Sequence, residues 1–160
     1  KLKTKSGKIE LYLPDVEAQF AGYGALNDKD MDTFDGHDLC LTCGKTPIHT
    51  NGHTQAVPFL NDLMSDSPIW INPNTAKKQN LRDGDTVLVK NKFGEQKGKL
   101  MVTEGIREDS LFIYHGFGHI TPGLKSIDHV GLNTSVLLDP AEGPVAATMV
   151  TNVGVSISKA

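Results

Sequence analysis

Short runs of alternating apolar and polar residues recur along this chain, separated by turn-forming residues. Alternation places successive side chains on opposite faces of a strand, so each run predicts a β-strand. The predicted strands lie at 8–13, 38–43, 67–71, 110–114 and 152–158, and two more lie within 82–102, joined by a turn at Phe93-Gly94. Brief helices are predicted at 54–63 and 74–81, the second with Asn74 as its N-cap. Many short strands and few helices predict a mainly β fold, and we favour a β-barrel over a sandwich.

The same alternation predicts which side chains share a face at the two ends of the chain. One face of the first strand carries Ile9, Leu11 and Leu13. The last strand, which closes the sheet, points inward with Val153, Val155 and Ile157. Residues 14–37 are rich in Gly and Asp and predict a long surface connection. Its acidic run imitates a calcium loop, but Thr33 and Leu39 stand where that loop needs Gly and Glu.

Length and charge exclude several classes of protein. A chain of 160 residues predicts one domain that buries its own core without metal or disulfides. Its net charge is −3 and its lysines are scattered, so we expect no nucleic-acid partner. No apolar run approaches the roughly 18 residues of a membrane span, so we expect no direct membrane insertion. Because the sequence begins at Lys1 rather than Met, we expect a C-terminal fragment of a longer chain, with any export signal outside it.

The segment CLTCGKTPIHTNGHTQ, residues 40–55, carries both cysteines and imitates a zinc finger. Only five residues lie between Cys43 and His49, whereas a two-cysteine, two-histidine finger uses about twelve. Cys40 and Cys43 also lie three apart on a predicted strand, which directs them to opposite faces. The spacing therefore disfavours a zinc site. Cys43 could act as a nucleophile, but we favour the interpretation that it is half-buried at a strand end and packs as a small hydrophobic residue.

Two loops that follow predicted strands share an unusual composition. Residues 44–55 and 115–123 combine Gly with His, Asn, Thr or Gln. Glycine lets the backbone approach a ligand closely, and the polar side chains offer donors and acceptors. This composition suits a polar, anionic ligand such as a dinucleotide, while ordinary turns with hydrogen-bonded histidines remain the alternative. No P-loop, Rossmann, G-x-S-x-G or H-E-x-x-H motif is present, and no catalytic residue is predicted.

Three segments occur in a familiar order: SGKIELY, LTCGKTPIHTNGHT and INPNTAKKQNLRDGDTVLVKNKFG. With them the chain resembles the C-terminal domain of molybdopterin oxidoreductases of the dimethyl sulfoxide reductase family. The resemblance runs from about Thr4 to the end of the chain, outside the acidic connection. The HGFGH loop is most similar to the thiosulfate and polysulfide reductase branch. The resemblance implies a double-psi β-barrel that binds molybdopterin guanine dinucleotide.

The family pattern implies which residues bind the cofactor. Cys43, Gly44 and Lys45 stand at the family's Thr-Gly-Arg positions, so a hydroxyl donor and a planar guanidinium are both replaced. The positions implied to bind the cofactor are Cys43, Gly44, Lys45, His49, Thr50, Asn51, Gly52, His53, Thr54, His115, Gly116, Gly118, His119, Asn133 and Asn152. No residue is implied to be catalytic or to bind the metal.

The resemblance also implies a larger assembly. The cofactor is expected in its bis form with molybdenum or tungsten, and an iron–sulfur cluster is expected in an N-terminal part. The expected partners are the rest of the catalytic chain, an iron–sulfur electron-transfer subunit and a membrane anchor subunit, in the periplasm. The substrate is expected to be a sulfur compound such as thiosulfate or polysulfide, and the isolated domain is expected to be inactive. The alternatives are a stand-alone dinucleotide-binding subunit of a formate or formylmethanofuran dehydrogenase-type enzyme and, remotely, a zinc-binding interaction module.

If both loops clasp one dinucleotide, they must meet at one end of the barrel. Each loop follows the C-terminal end of its strand, so parallel placement of those two strands brings the loops together. We expect the polar groups of the loops to face water. Substitution of His49 or Lys45 is therefore expected to change stability by less than about 1 kcal/mol.

Overall fold

The computed structural model describes residues 2–10, 36–138 and 152–160, with Asn152 described by its backbone alone. These residues fall in two compact units, 2–10 in one and the remainder in the other. In the first unit Gly7 N donates to Thr4 O at 3.1 Å in a turn. Residues 8–10 of the predicted first strand are not in a strand, and Leu11 and Leu13 lie outside the described residues. The acidic connection also lies outside them, up to residue 35.

Where the structure describes it, the second unit contains six short strands, two short α-helices and one 3₁₀ helix. In chain order they are β1 (Leu39–Gly44), α1 (Pro58–Leu63), β2 (Ile69–Ile71), α2 (Pro73–Lys78), β3 (Thr86–Lys90), β4 (Glu95–Val102), β5 (Ser110–Tyr114), the 3₁₀ helix (Thr134–Leu137) and β6 (Asn152–Lys159). Every strand in this unit coincides with a predicted one. Within the described ranges, no helix is long and apolar enough to cross a membrane.

The six strands close into a barrel in the order β1-β5-β2-β4-β3-β6. β1 pairs in parallel with β5, and β2 in parallel with β4. The other four pairings are antiparallel. Closure pairs every strand on both sides, so the sheet has no exposed edge. The prediction of a mainly β barrel with short helices is confirmed.

Alternate side chains of the strands fill the barrel. On β1, Leu41 is fully buried, and the partly buried Cys43 packs against the same core. On β6, Val155 and Ile157 are buried and Val153 packs against the core, which confirms the inward face predicted for this strand. The fully buried apolar side chains are Leu41, Ile69, Ile71, Leu111, Ile113, Leu132, Leu137, Val87, Val89 and Val155. Burial of this apolar set is the main stabilising contribution to the barrel.

The start of α2 differs from the prediction. Asn72, not Asn74, is the N-cap: its backbone is extended and its side-chain oxygen accepts from Asn74 N at 2.9 Å. Pro73 follows at the first helical position, where its missing N–H costs nothing. The Asn72 amide also donates to Ile106 O at 2.9 Å, which ties the helix to the connection between β4 and β5. The prediction of Asn74 was wrong because Pro73 was not counted in the helix.

Strand direction sorts the connections between the two ends of the barrel. The pairings require β1, β3 and β5 to run one way and β2, β4 and β6 the other. Residues 45–68, the turn at 91–94 and the chain after Tyr114 therefore leave the same end, which we call the loop end. Residues 72–85 and 103–109 lie at the opposite end.

The corrected cap can be tested with two alanine substitutions. Asn72→Ala removes the cap and the bond to Ile106 O, so we expect a loss of about 1–2 kcal/mol in the free energy of unfolding. Asn74→Ala removes an exposed side chain that donates to Glu108 Oε1, and we expect a loss below about 0.5 kcal/mol. Equilibrium urea unfolding of the chain measures both. An equal or larger loss for Asn74→Ala would restore the original assignment.

Candidate functional site

Two loops begin side by side at the loop end. We call residues 45–57, after β1, the first loop and residues 115–133, after β5, the second loop. The parallel register aligns Gly44 with Tyr114, and His115 N extends the pairing by donating to Gly44 O at 3.0 Å. Gly44 lies against the Phe112 ring, since a Cβ there would be 2.6 Å from Phe112 Cε2. The prediction that the two loops meet is confirmed.

Glycines let the two loops touch. Gly116 has a φ of +96°, and a Cβ on it would lie 2.7 Å from the carbonyl carbon of Asn51. Gly52 packs on His119, whose Cε1 would be 2.7 Å from an added Cβ. The rings of His49 and Phe117 also meet edge to face, with centroids 5.9 Å apart. The loops therefore form one continuous surface.

The second loop folds back on itself beyond this contact. Gly118 N donates to Val130 O and His129 N donates to His119 O, both at 2.7 Å. Gly118 has a φ of +71° and packs against Asn133, whose Cβ would be 2.8 Å from an added Cβ. Asn133 caps the 3₁₀ helix by accepting from Ser135 N at 3.1 Å, and its own N–H donates to Gln96 Oε1 at 3.3 Å. These bonds fix His119 beside the first loop and Asn133 beside Gly118.

His49 is placed differently from the prediction. It is 5% exposed, and its Nε2 donates to Met64 O at 2.7 Å. Its Nδ1 lies 3.4 Å from the Thr54 hydroxyl, which also accepts from Thr50 N at 2.8 Å. Both ring nitrogens are thus used inside the protein. The expectation that His49 faces water is wrong, because its ring ties the first loop to the segment that follows α1.

The other predicted site residues differ in exposure. Lys45, Thr50 and His53 are exposed, as expected for groups that meet a ligand from solvent. His115 is half-buried. Asn51 adopts a left-handed conformation with a φ of 51°, which Asn tolerates better than most residues. Asn152 begins β6, and its side chain is outside the described part.

Buried polar atoms without partners are concentrated in these loops. In residues 2–10, 36–138 and 152–160, four buried side-chain nitrogen or oxygen atoms have no hydrogen-bond partner. Three belong to the loops: Asn51 Oδ1, Gln55 Nε2 and His119 Nε2; the fourth is Trp70 Nε1 on β2. A buried polar group without a partner costs about 1–3 kcal/mol. A polar ligand at the loop end would satisfy such groups, so the residues fit a cofactor rich in donors and acceptors.

A family comparison agrees with this geometry. Residues 39–151, most of the chain, match the family described as "Molydopterin dinucleotide binding domain". The chain belongs to this family. The matched range includes β1 to β5 and both loops, so the site described above lies within it.

Relatives and one solved structure extend the comparison. The chain is 39% identical, over its whole length, to thiosulfate reductase molybdopterin-containing subunit PhsA of Salmonella typhimurium, and covers 21% of that protein. It is 33% identical over 121 residues to probable oxidoreductase YyaE of Bacillus subtilis, covering 71% of this chain and 18% of that protein. It thus spans about a fifth of the length of these relatives. The solved structure of acetylene hydratase from Pelobacter acetylenicus is similar to this chain, with a TM-score of 0.68 and 20% sequence identity. The match covers 98% of this chain and 24% of the acetylene hydratase chain. That likeness agrees with the expected double-psi β-barrel.

Within this dinucleotide-binding domain, the two thiols are neutral groups. Burial raises the pKa of Cys43 to about 11, although a hydrogen bond with Thr134 acts in the opposite direction. Burial likewise raises the pKa of Cys40. Alternation along β1 turns Cys43 to the core and Cys40 to the other face. The described residues contain no group of three or more His, Cys, Asp or Glu side chains that could hold a metal ion. The geometry favours packing over nucleophilic chemistry for Cys43.

Gln55 is the site residue that sequence reasoning missed. It closes the first polar segment, yet no family position was assigned to it. Its side chain is only 2% exposed, and its Nε2 is one of the three buried loop atoms without partners. The sequence carries no local signal of this burial, because the residues that follow Gln55, Ala56 and Val57, are themselves exposed.

The role of His49 gives a stability prediction. His49→Ala leaves Met64 O without its donor and opens a cavity, so we expect a loss of about 2–3 kcal/mol in the free energy of unfolding. Lys45→Ala, at an exposed position of the same loop, should change it by less than about 0.5 kcal/mol. Urea unfolding of both variants is the measurement. Similar small changes in the two would mean that His49 does not anchor the loop.

The raised pKa of Cys43 gives a reactivity prediction. A pKa two units above the ordinary value of 9.0 lowers the thiolate fraction at pH 8 by about a hundredfold. In the Cys40→Ala variant, iodoacetamide should therefore alkylate Cys43 at least about a hundredfold more slowly than a free thiol, followed by mass spectrometry. The neutral thiol favours the folded state below pH 9, and this contribution should disappear as the pH rises through about 11. Rapid alkylation at pH 7 would contradict the burial of this thiol.

Proposed function

We propose that this domain binds molybdopterin guanine dinucleotide between its first and second loops and serves an oxidoreductase that reduces a sulfur compound. The observation that carries the proposal is the convergence of the two loops, with three buried polar atoms that have no partners in the protein. Family membership supplies the class of ligand. The proposal includes the guanine form of the dinucleotide, two copies of it per metal, and either molybdenum or tungsten as that metal.

The residues of the two loops have different roles in the proposed binding of the cofactor. The glycines at 52, 116 and 118 keep the two backbones close, so the ligand meets a continuous polar surface. Lys45 is exposed and offers one ammonium to an anionic part of the dinucleotide. His49 acts through the loop that it anchors rather than through direct contact. When bound, the cofactor supplies the redox chemistry, and this chain holds and orients it.

The remaining proposed contacts come from side chains on the loop surface. Direct contacts are assigned to the loop residues Thr50, Asn51, His53, Thr54, His115, His119 and Asn133, and the family resemblance adds Asn152 at the start of β6. Among them, Asn51 and His119 have the clearest structural support, because Asn51 Oδ1 and His119 Nε2 are buried and lack partners. Cys43 and Gly44 shape the start of the first loop, where Cys43 is held in the core and Gly44 lies on Phe112.

The substrate proposal follows from one relative. PhsA is named as a thiosulfate reductase subunit, and it is 39% identical to this chain in an alignment that covers all 160 residues. We therefore assign thiosulfate, or a related acceptor such as polysulfide, to the complete enzyme. The proposed partners are the rest of its catalytic chain, an iron–sulfur subunit and a membrane anchor, in the periplasm. An iron–sulfur cluster would lie in the catalytic chain outside this domain.

A matched pair of histidine substitutions tests cofactor binding in the complete native protein. His119→Asn removes the buried Nε2, and the loss of one hydrogen bond should weaken cofactor affinity by about fivefold. His129→Asn is the control: it lies in the same loop, is exposed, and has a φ of 57°, which Asn tolerates. Pterin content is measured by fluorescence after oxidative extraction.

Three results would contradict the proposal. Wild-type protein without pterin would remove the function altogether. Equal pterin loss in both variants would show that His119 has no special place in the site. In the same preparations, thiosulfate-dependent oxidation of a reduced dye should follow the pterin content, and its absence from pterin-loaded protein would remove the sulfur substrate.

A further inference from the structure

Gln55 is a buried polar residue to which the proposed site gives no role. Its side chain is 2% exposed, the lowest exposure of any polar residue in the first loop. Its backbone is held in place because its carbonyl accepts from Asn61 Nδ2 at 3.1 Å. Its side-chain Nε2, in contrast, is buried without a hydrogen-bond partner. The protein thus holds the backbone at Gln55 and leaves the buried side-chain donor unused.

A buried amide without a partner opposes folding unless an acceptor atom takes its hydrogen bond. Replacement by an apolar side chain of similar length would remove the unpaired donor at little cost in packing. A bound ligand with an acceptor atom would satisfy the same donor. Two other residues of the first and second loops are in the same state, since Asn51 Oδ1 and His119 Nε2 are also buried without partners. Asn51 contacts Gly116 and His119 contacts Gly52, so both lie where the loops meet.

We propose that Gln55 contacts the bound cofactor directly, with its Nε2 donating to the carbonyl oxygen of an aminopyrimidinone edge while Asn51 Oδ1 accepts from an N–H of that edge. This inference rests on the proposed function, because it needs a pterin dinucleotide at the loop end. An aminopyrimidinone edge carries a carbonyl acceptor beside N–H donors, which matches a pair of carboxamides. The pterin ring and the guanine base both present this edge.

Charge favours a ring edge over a phosphate for these amides. Phosphate only accepts hydrogen bonds and is usually met by Arg, Lys or several backbone N–H groups. Lys45 and Lys125 are the only Lys or Arg residues in the first and second loops, and both are exposed. The buried atoms at Asn51 and Gln55 are neutral and include an acceptor, which phosphate could not satisfy. The anionic part of the dinucleotide is therefore left to the exposed surface around Lys45.

The test uses the complete native protein and the variant Gln55→Met. Gln79→Met is the matched control, because Gln79 is exposed and lies at the opposite end of the barrel. We expect Gln55→Met to lower cofactor affinity by about tenfold, measured as pterin content at limiting cofactor supply. We also expect the Tm of the ligand-free variant, purified from cells blocked in pterin dinucleotide synthesis, to be equal to or higher than that of wild type. Gln79→Met should change neither quantity.

The combined outcome separates ligand contact from a structural role. Lower pterin content together with an unreduced ligand-free Tm supports the contact. A lower ligand-free Tm would show that a water or protein group already satisfies Gln55, and overturns the inference. Unchanged pterin content in Gln55→Met overturns it as well, while pterin in the wild-type protein leaves the proposed function standing. Wild-type protein without pterin would instead refute the proposed function.

Three small probes test the chemistry of the contact and distinguish its two sources. With ligand-free wild-type protein, 6-hydroxymethylpterin or guanosine should raise the Tm, and Gln55→Met should abolish that shift. If Gln55→Met abolishes the shift caused by 6-hydroxymethylpterin, the edge belongs to the pterin ring. If it abolishes the shift caused by guanosine, the edge belongs to the guanine base. Inorganic pyrophosphate carries no ring, so any shift it causes should survive the substitution. No shift from either ring probe, or a loss confined to pyrophosphate, would overturn the ring-edge assignment.

Discussion

The parallel pairing of β1 with β5 is the constraint on which the loop end depends. It aligns Gly44 with Tyr114, so the chain leaves both strands at the same level, and His115 N continues the ladder onto Gly44 O. Sixty-five residues lie between the end of β1 at Gly44 and the start of β5 at Ser110, yet the pairing returns the chain to β1. Without this return, two polar loops far apart in sequence would have no reason to meet. The core that surrounds Leu41 and Ile113 holds the pair in place.

Close approach of the loops then depends on residues without side chains. A Cβ on Gly116 would collide with the backbone of Asn51, and one on Gly52 would collide with the His119 ring. The first collision is with main chain and cannot be relieved by a rotamer change, so Gly116 is the stricter requirement. Its positive φ adds a second reason for glycine. The glycines in the two loops are therefore explained by the close contact between the loops.

Much of the fold was predictable because alternation is a local signal. The run SLFIY predicted β5, and the run NVGVSIS predicted β6 with its correct inward face. Parallel placement of β1 and β5 was stated as a condition for a shared site, since alternation does not determine which strands pair. His49 was misjudged because its partner, Met64 O, lies fifteen residues away and leaves no local trace. The Gln55 side chain was missed for a similar reason, since its burial depends on tertiary packing.

The loop end combines an anchored frame with unsatisfied groups. His49, Thr54 and Asn133 each make a side-chain hydrogen bond inside the protein, which fixes the loops before any ligand arrives. Asn51, Gln55 and His119 leave atoms buried and unpaired, which disfavours the folded state by an amount that the barrel core has to offset. A site arranged in this way loses little conformational freedom when it binds, because the ordering was completed on folding. The burial of unpaired amides in the ligand-free domain is thus the physical counterpart of tight binding: the free energy withheld from folding becomes available to a ligand that supplies the missing partners.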